Sequence, residues 1–148
     1  DADQLINKGA CLRHLNRSNE ALTAYAKAIQ INPSSATAYS NQAMAFLDLK
    51  NYTEALTSFK TANKLGEDSG TIQMHISICL AKIGHISEAI QLIDGLIKEY
   101  PTLGSLFYVK GKIMLINGNI DDAHRCFEDA DNRTKEWGNF KDQIDSLF

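Results

Sequence analysis

Apolar residues recur along this chain with a period of 34 residues. Four alanines mark the period, each 34 residues after the one before: Ala21, Ala55, Ala89 and Ala123. A large apolar residue follows each alanine four positions later: Tyr25, Phe59, Ile93 and Phe127. Upstream, a small residue and a large apolar residue hold fixed places: Gly9 with Leu12, Ala43 with Phe46, Ser77 with Leu80, and Gly111 with Met114. Repetition at this period predicts four copies of one supersecondary motif.

Each repeat contains two apolar stretches at helical spacing. In the first repeat Leu5, Gly9 and Leu12 form one stretch, and Ala21 and Tyr25 begin the other. Breakers separate the two stretches in every repeat: Asn16-Arg17-Ser18, Lys50-Asn51, Gly84-His85 and Gly118-Asn119. The pattern predicts two helices per repeat, with small residues where the paired helices approach closely.

Two of the second helices carry a predicted N-terminal cap. Asn51 lies three residues before Glu54, and Asn119 lies three residues before Asp122. An Asn side chain can accept a hydrogen bond from a free amide at a helix start, and an acid in the first turn complements the helix dipole. We therefore expect the side chains of Asn51 and Asn119 to cap these helices.

The segment 138–148 lies beyond the fourth repeat. Phe140, Ile144 and Leu147 fall on one helical stripe with polar residues around it, which predicts a further helix. It has two interpretations, a helix that caps the exposed face of the fourth repeat and the first helix of a truncated fifth repeat. A single helix pair cannot bury its apolar face, so neighbouring repeats are expected to stack into a solenoid.

The residue pattern resembles that of the tetratricopeptide repeat family over residues 2–137. The second repeat is the best match, with Tyr39, Ala43, Phe46, Tyr52, Ala55, Phe59 and Ala62. The third repeat departs most, because Gln73 stands where a large aromatic residue is usual and Leu96 where Ala is usual. The resemblance implies an all-α, right-handed α-solenoid of four helix-turn-helix repeats with a C-terminal capping helix. We expect one domain over 1–148, with repeats at about 2–35, 36–69, 70–103 and 104–137 and the capping helix at about 138–148.

Composition and charge narrow the possible partners. With 44% hydrophobic residues the chain has ample material for a core, which excludes a disordered protein. Fifteen Lys and Arg against 18 Asp and Glu argue against a nucleic-acid surface. No apolar run reaches the roughly 18–20 residues of a membrane span, and the first residues lack the pattern of a signal peptide. We expect free thiols at the three cysteines, a cytoplasmic location, no nucleic-acid partner and no direct membrane insertion.

The sequence shows no motif for catalysis or for a cofactor. Phosphate-binding glycine loops and the H-E-x-x-H pattern are absent. His75 and Cys79 are four residues apart and Cys11 and His14 three apart, spacings that could present pairs of metal ligands. Cys11 and Cys79, however, hold a repeat position that is apolar Ala45 in the second repeat, which favours a structural role. We expect no catalytic residue, no metal and no cofactor.

The resemblance places function on the first helix of each repeat. In this family these helices line a concave groove that holds a segment of a partner protein. Position by position, the groove residues are Ile6, Asn7, Ala10, Arg13, Ser40, Asn41, Met44, Leu47, Met74, His75, Ile78, Ala81, Tyr108, Val109, Lys112 and Leu115. We call these the inner-face positions. An exposed apolar strip is typical of a partner site, and the alternative is that some of these residues pack between adjacent first helices.

One subclass of the family can be tested on its binding residues. Co-chaperones of this subclass grip the acidic C-terminal tails of heat-shock chaperones with a clamp of cations and amides. Of the five clamp positions only Asn41 matches, and the others carry Ile6, Ala10, Thr71 and His75. Without Lys or Arg a terminal carboxylate would lack its charge-assisted hydrogen bonds. We therefore do not expect this activity.

The expected function is that of a non-catalytic adaptor or scaffold. It would bind an apolar or amphipathic segment of another protein in the groove, as a helix or as an extended peptide. One alternative is a structural or self-assembling segment of a larger multi-repeat protein that associates through its terminal repeats. Two others are a chaperone of translocator proteins in bacterial secretion systems and a regulatory arm attached to an enzyme.

Overall fold

A computed structural model describes residues 1–67 and 69–148, and all regular elements within them are helices. Eight of the helices in these two ranges have 13 or 14 residues, and the last has eight. They are α1 (Ala2–His14), α2 (Ser18–Ile31), α3 (Ala36–Asp48), α4 (Tyr52–Lys64), α5 (Gly70–Lys82), α6 (Ile86–Glu99), α7 (Gly104–Ile116), α8 (Ile120–Arg133) and α9 (Phe140–Leu147). Each predicted repeat holds one pair of these helices, and α9 lies in the segment predicted as the cap. The chain is an all-α helical-repeat protein, as predicted.

The turn between paired helices is the same in all four repeats. One residue adopts a left-handed conformation there, with φ of 58° at Asn16, 60° at Lys50, 93° at Gly84 and 79° at Gly118. The next backbone amide donates to the carbonyl five residues upstream, from Arg17 to Leu12, Asn51 to Phe46, His85 to Leu80 and Asn119 to Met114, at 2.8–2.9 Å. These bonds satisfy carbonyls at the end of each first helix. The breakers in the sequence therefore mark one repeated turn.

The predicted side-chain caps of α4 and α8 are wrong. Asn51 and Asn119 do precede these helices, but neither side chain accepts a capping hydrogen bond. Their backbone ψ angles are 74° and 76°, below the extended values from which a capping side chain reaches the first turn. The backbone amide of each of these residues donates to a carbonyl of the preceding helix, and this hydrogen bond fixes the backbone conformation. Side-chain caps occur instead at α1 and α3, where Asp1 and Ser35 accept from backbone amides at 2.9 and 3.2 Å.

The chain divides into two compact units, Asp1–Ile72 and Gln73–Phe148. In the first unit a buried apolar cluster joins α1, α2 and α3 and consists of Ile6, Ala21, Tyr25, Ala28, Ala38 and Ala45. In the second unit the buried apolar side chains of α6 to α8 include Ile93, Leu106, Val109, Ile113, Ala123 and Ala130. Alanine at the recurring positions keeps these paired helices close, because a small side chain adds little width between them.

Two glycines show how closely the paired helices approach. A Cβ atom at Gly9 would overlap the ring of Tyr25, and a Cβ atom at Gly111 would lie 2.5 Å from Cε1 of Phe127. These are matched positions in the first and fourth repeats. The prediction that small residues allow close approach is confirmed in the first and the fourth repeat.

Candidate functional site

Two inner-face positions of the first unit are part of its packing. Ile6 is 7% exposed and belongs to the buried cluster with Ala38 and Ala45 of α3. Leu47 is 1% exposed. The expectation that these side chains form an exposed strip is wrong, because they are buried in the folded chain.

The other inner-face positions of the first unit remain open to solvent. Asn7 is exposed, and Ala10, Ser40, Asn41 and Met44 are half-buried. The Ser40 hydroxyl donates to the backbone of its own helix at 3.2 Å. The open part of α1 and α3 therefore presents two amides, a thioether and a methyl group. This combination suits an amphipathic segment, since Met adapts its shape to an apolar partner.

Arg13 is already paired inside the first unit. Its Nε lies 2.8 Å from Oδ2 of Asp48, the last residue of α3, which also accepts from the Ser18 hydroxyl at 3.3 Å. Burial raises the pKa of the nearby Tyr25 hydroxyl, and the positive charge of Arg13 partly offsets that shift. Arg13 thus links α1 to α3, and a ligand at this position would compete with Asp48.

In the second unit the inner-face positions of α5 are buried. Met74 and His75 are each 8% exposed, and Ile78 is fully buried. Ala81 of α5 is buried as well, and so is Val109 of α7. These residues do not present an exposed apolar strip, which corrects the expectation for the third repeat.

Tyr108 and Lys112 of α7 meet a carboxylate of α9. The Tyr108 hydroxyl donates to Asp145 at 3.0 and 3.2 Å, and Lys112 Nζ lies 3.0 Å from Asp145 Oδ1. Burial, and then the hydrogen bond to Asp145, raise the pKa of Tyr108 to about 12. The hydroxyl is therefore a protonated donor at neutral pH. Leu115, one turn further along α7, is 44% exposed.

Two aromatic rings pack against Tyr108. Its ring centroid lies 5.2 Å from that of Phe127 and 5.5 Å from that of Trp137, within the range of favourable aromatic pairs. Lys141 of α9 places its ammonium 4.8 Å from the Trp137 ring and 5.5 Å from the Tyr108 ring. Tyr108 is therefore the centre of the contacts between α7 and the C-terminal segment.

Lys141 also reaches Asp131 of α8. Its Nζ lies 2.6 Å from Asp131 Oδ1, and the indole Nε1 of Trp137 donates to the same oxygen at 2.8 Å. These bonds, that from Lys141 first, lower the pKa of Asp131 from its ordinary value of 3.8. The end of α8 and the start of α9 are thus held by one carboxylate.

Sequence reasoning missed the two acids that pair with inner-face cations, Asp48 and Asp145. Each directly follows a buried apolar residue of its helix, Leu47 and Ile144 respectively. This placement at the edge of an apolar stripe is a weak signal, because many surface acids share it. The pairing itself depends on where two helices meet, which the periodicity does not specify.

The two buried cysteines, Cys79 and Cys126, show no sign of an activated thiol. Burial raises the pKa of Cys79 to about 12 and also raises that of Cys126, which disfavours the reactive thiolate in both. Cys11 is exposed. Within residues 1–67 and 69–148, no three His, Cys, Asp or Glu side chains converge as a metal site. None of the helices in this part of the chain is long and apolar enough to cross a membrane.

Family models of the tetratricopeptide repeat match residues 2–35 and 40–103. The chain belongs to the tetratricopeptide repeat family, whose members are generally non-catalytic modules that bind other proteins. Helices α7 and α8 lie beyond the matched residues. They nevertheless reproduce the turn and the glycine–aromatic contact of the first repeat.

Two relatives illustrate where such repeats occur. A DnaJ homolog subfamily C member 7 homolog from Dictyostelium discoideum is 34% identical over 79 residues, which is 53% of this chain and 14% of that protein. The small glutamine-rich tetratricopeptide repeat-containing protein 2 from Mycosarcoma maydis is 30% identical over 90 residues, which is 61% of this chain and 26% of that protein. The chain thus spans 26% or less of the length of these two relatives.

Solved structures of MamA resemble the fold. One crystal structure of MamA superposes with a TM-score of 0.77, covering 93% of this chain and 75% of that chain at 18% identity. MamA residues 41 to the end from Desulfovibrio magneticus RS-1 gives 0.78, covering 90% and 76% at 16% identity. At these identities the likeness shows the fold alone.

Proposed function

We propose that this chain is a non-catalytic adaptor that binds an apolar or amphipathic segment of another protein on those inner-face positions of its first helices that remain open to solvent. The observation that carries the proposal is the open face of α1 and α3. There Met44 offers an adaptable apolar contact, and Asn7 and Asn41 offer amides that can bond a peptide backbone. Membership of the tetratricopeptide repeat family supports the same role.

The test uses a peptide array probed with the full chain. Met44→Asp places a charge on the open face, and we expect it to lower the affinity for the best peptide by about tenfold or more, as for an anchor residue. Ala26→Asp is the matched control, because it adds the same charge to the exposed surface of α2. Met74 is a poor test site because it is buried. If Met44→Asp and Ala26→Asp bind the peptide equally well, the assignment to α1 and α3 is wrong.

A second candidate function is self-association through the N-terminal repeat. Cys11 is exposed, whereas the matched residues Ala45, Cys79 and Ile113 are buried. A further helix on this side of α1 would cover Cys11 as its counterparts are covered. Sedimentation velocity over a wide concentration range tests this, and a monomer throughout would exclude it.

A further inference from the structure

Helix α9 contacts α7 at the inner-face positions of the fourth repeat. We propose that the fourth repeat binds an amphipathic helix of a partner protein that presents a carboxylate to Tyr108 and Lys112, and that α9 holds this place until the partner displaces it. The inference rests on the proposed function, because it specifies the partner chemistry at the inner-face positions of α7.

The recognition element is a donor pair aimed at one carboxylate. Tyr108 supplies a neutral hydroxyl at 3.0 Å and Lys112 an ammonium at 3.0 Å, both to Oδ1 of Asp145. Charge-assisted bonds of this kind favour an acid over an amide or a hydroxyl at the same place. The partner helix is therefore expected to carry Asp or Glu at the position that Asp145 holds in α9.

An apolar anchor stands next to the carboxylate. Ile144 is 2% exposed, whereas Phe140 on the same stripe is 40% exposed. At the end of the chain, the Phe148 ring lies 5.6 Å from Lys112 Nζ. The segment that occupies the site thus has a buried aliphatic residue followed directly by an acid, and it places an aromatic ring beside Lys112.

The donor pair is specific to the fourth repeat. At the positions matching Tyr108 and Lys112, the first repeat has Ile6 and Ala10, and the second has Ser40 and Met44. The third repeat has Met74 and Ile78 there. None of these pairs supplies a cation, and the inner-face cation of α1, Arg13, is already paired with Asp48, so a carboxylate at this repeat position favours α7.

Several features make α9 replaceable. It has eight residues, and helices this short are marginal unless packing supports them. Apart from Ile144, much of its attachment consists of partly exposed ion pairs, which contribute little each. Residues 134–139, which contain Gly138 at φ of 52°, connect it to α8 without regular helix. A longer partner helix with the same anchor and acid would bury more apolar surface and displace it.

The experiment uses a fluorescein-labelled synthetic peptide of residues 138–148 as the probe and the full chain as the receptor. Ile144→Asp in the chain detaches the tethered α9, and Trp137 fluorescence and far-UV circular dichroism report detachment without loss of the fold. We expect this variant to bind the peptide about tenfold or more tightly than the unaltered chain, since α9 no longer competes. Gln143→Asp is the matched control, because it adds the same charge at the exposed neighbouring residue and leaves α9 in place.

A charge exchange tests the donor pair itself. Adding Lys112→Glu to the Ile144→Asp chain should lower the affinity for the peptide by about tenfold. A peptide that carries Asp145→Lys should recover most of that loss on the Lys112→Glu chain. If Ile144→Asp does not fold, Asp145→Asn in the chain serves instead, and a gain in peptide affinity of about twofold is expected.

Three results would overturn the proposal. They are failure of the peptide to bind a folded chain with α9 detached, equal binding with and without Lys112→Glu, and a dimer of the unaltered chain formed by exchange of α9. The last result would make a second copy the occupant. The Met44→Asp test of the proposed function is independent of these results, because Met44 belongs to the first unit.

Discussion

The first and fourth repeats share an interior but differ in the helix that follows. In both, a glycine of the first helix faces an aromatic ring of the second, Gly9 with Tyr25 and Gly111 with Phe127. In the first repeat α1 is followed in space by α3, a helix of 13 residues. In the fourth repeat α7 is followed by α9, a helix of eight residues. The same repeat interior can therefore be completed by a full-length helix or by a short one.

In both repeats, an inner-face cation of the first helix forms an ion pair with the helix that follows. Arg13 of α1 pairs with Asp48 of α3, and Lys112 of α7 pairs with Asp145 of α9. In each case the carboxylate that pairs with the inner-face cation belongs to the following helix. Arg13 and Lys112, both expected to contact a partner, therefore form ion pairs within the chain. Of the two following helices, only α9 can be exchanged without loss of a repeat, because α3 is itself the first helix of the second repeat.

The largest effect is expected from filling the glycine contacts. Gly9→Ala and Gly111→Ala should each lower the free energy of unfolding by about 2 kcal/mol, because the added methyl group overlaps an aromatic ring. Urea denaturation followed by circular dichroism measures both. The control is Gly95→Ala in α6, where a Cβ atom meets nothing within 4 Å, and it should raise stability by about 0.5–1 kcal/mol. A neutral Gly111→Ala beside a destabilising Gly9→Ala would show that the two interiors are not equivalent.

A smaller effect is expected at the ring that faces Gly9. Among the described residues the Tyr25 hydroxyl is buried without a hydrogen-bond partner, and the matched residue of the fourth repeat, Phe127, has no hydroxyl. Tyr25→Phe should therefore raise the free energy of unfolding by about 1 kcal/mol. Tyr39→Phe, at a half-buried tyrosine, is the control and should change stability by less than about 0.5 kcal/mol. A loss of stability in Tyr25→Phe would mean that Arg13 bonds the hydroxyl.

The smallest effect is expected at the two paired acids. Asp48→Asn and Asp145→Asn should each cost about 0.5 kcal/mol, because both ion pairs are partly exposed to solvent. Thermal unfolding at low and high salt measures the two losses, and 1 M salt should reduce both. Asp142→Asn removes the same charge from α9 outside the contact with Lys112 and serves as the control. A loss at Asp145 well above that at Asp48 would show that α9 is held more firmly than a partly exposed ion pair allows, which would weaken the proposal that α9 is exchanged.

The helix pairs could be predicted because one short pattern repeats four times. Ala21 and its counterparts mark the second helices, and the breakers at Asn16, Lys50, Gly84 and Gly118 coincide with one turn geometry. Each repeat thus confirms the others, and a weak signal in the third repeat is supported by its neighbours. The prediction of side-chain caps at α4 and α8 is wrong, because the backbone conformation of the turn, rather than the residue type, decides whether the side chain of Asn51 or Asn119 can reach an amide.

The candidate site could be predicted only in part. Carrying positions over from a family pattern identifies which face of a helix is concerned, but it does not say how much of that face is buried. Ile6 is covered because α3 packs against α1, and Ile78 is fully buried on α5. The contact of Asp145 with Tyr108 joins residues 37 positions apart, and its formation depends on the path of the segment before α9.

The contrast between the exposed Cys11 and the buried Cys79 and Cys126 gives the protein a natural labelling site. A maleimide at neutral pH reacts with accessible thiolate, so modification is confined to α1 as long as the fold is intact. The single tryptophan, Trp137, lies beside α9 at the other end of the chain. An acceptor dye on Cys11 and the indole as donor therefore form a ready-made spectroscopic pair, with one reporter in each compact unit.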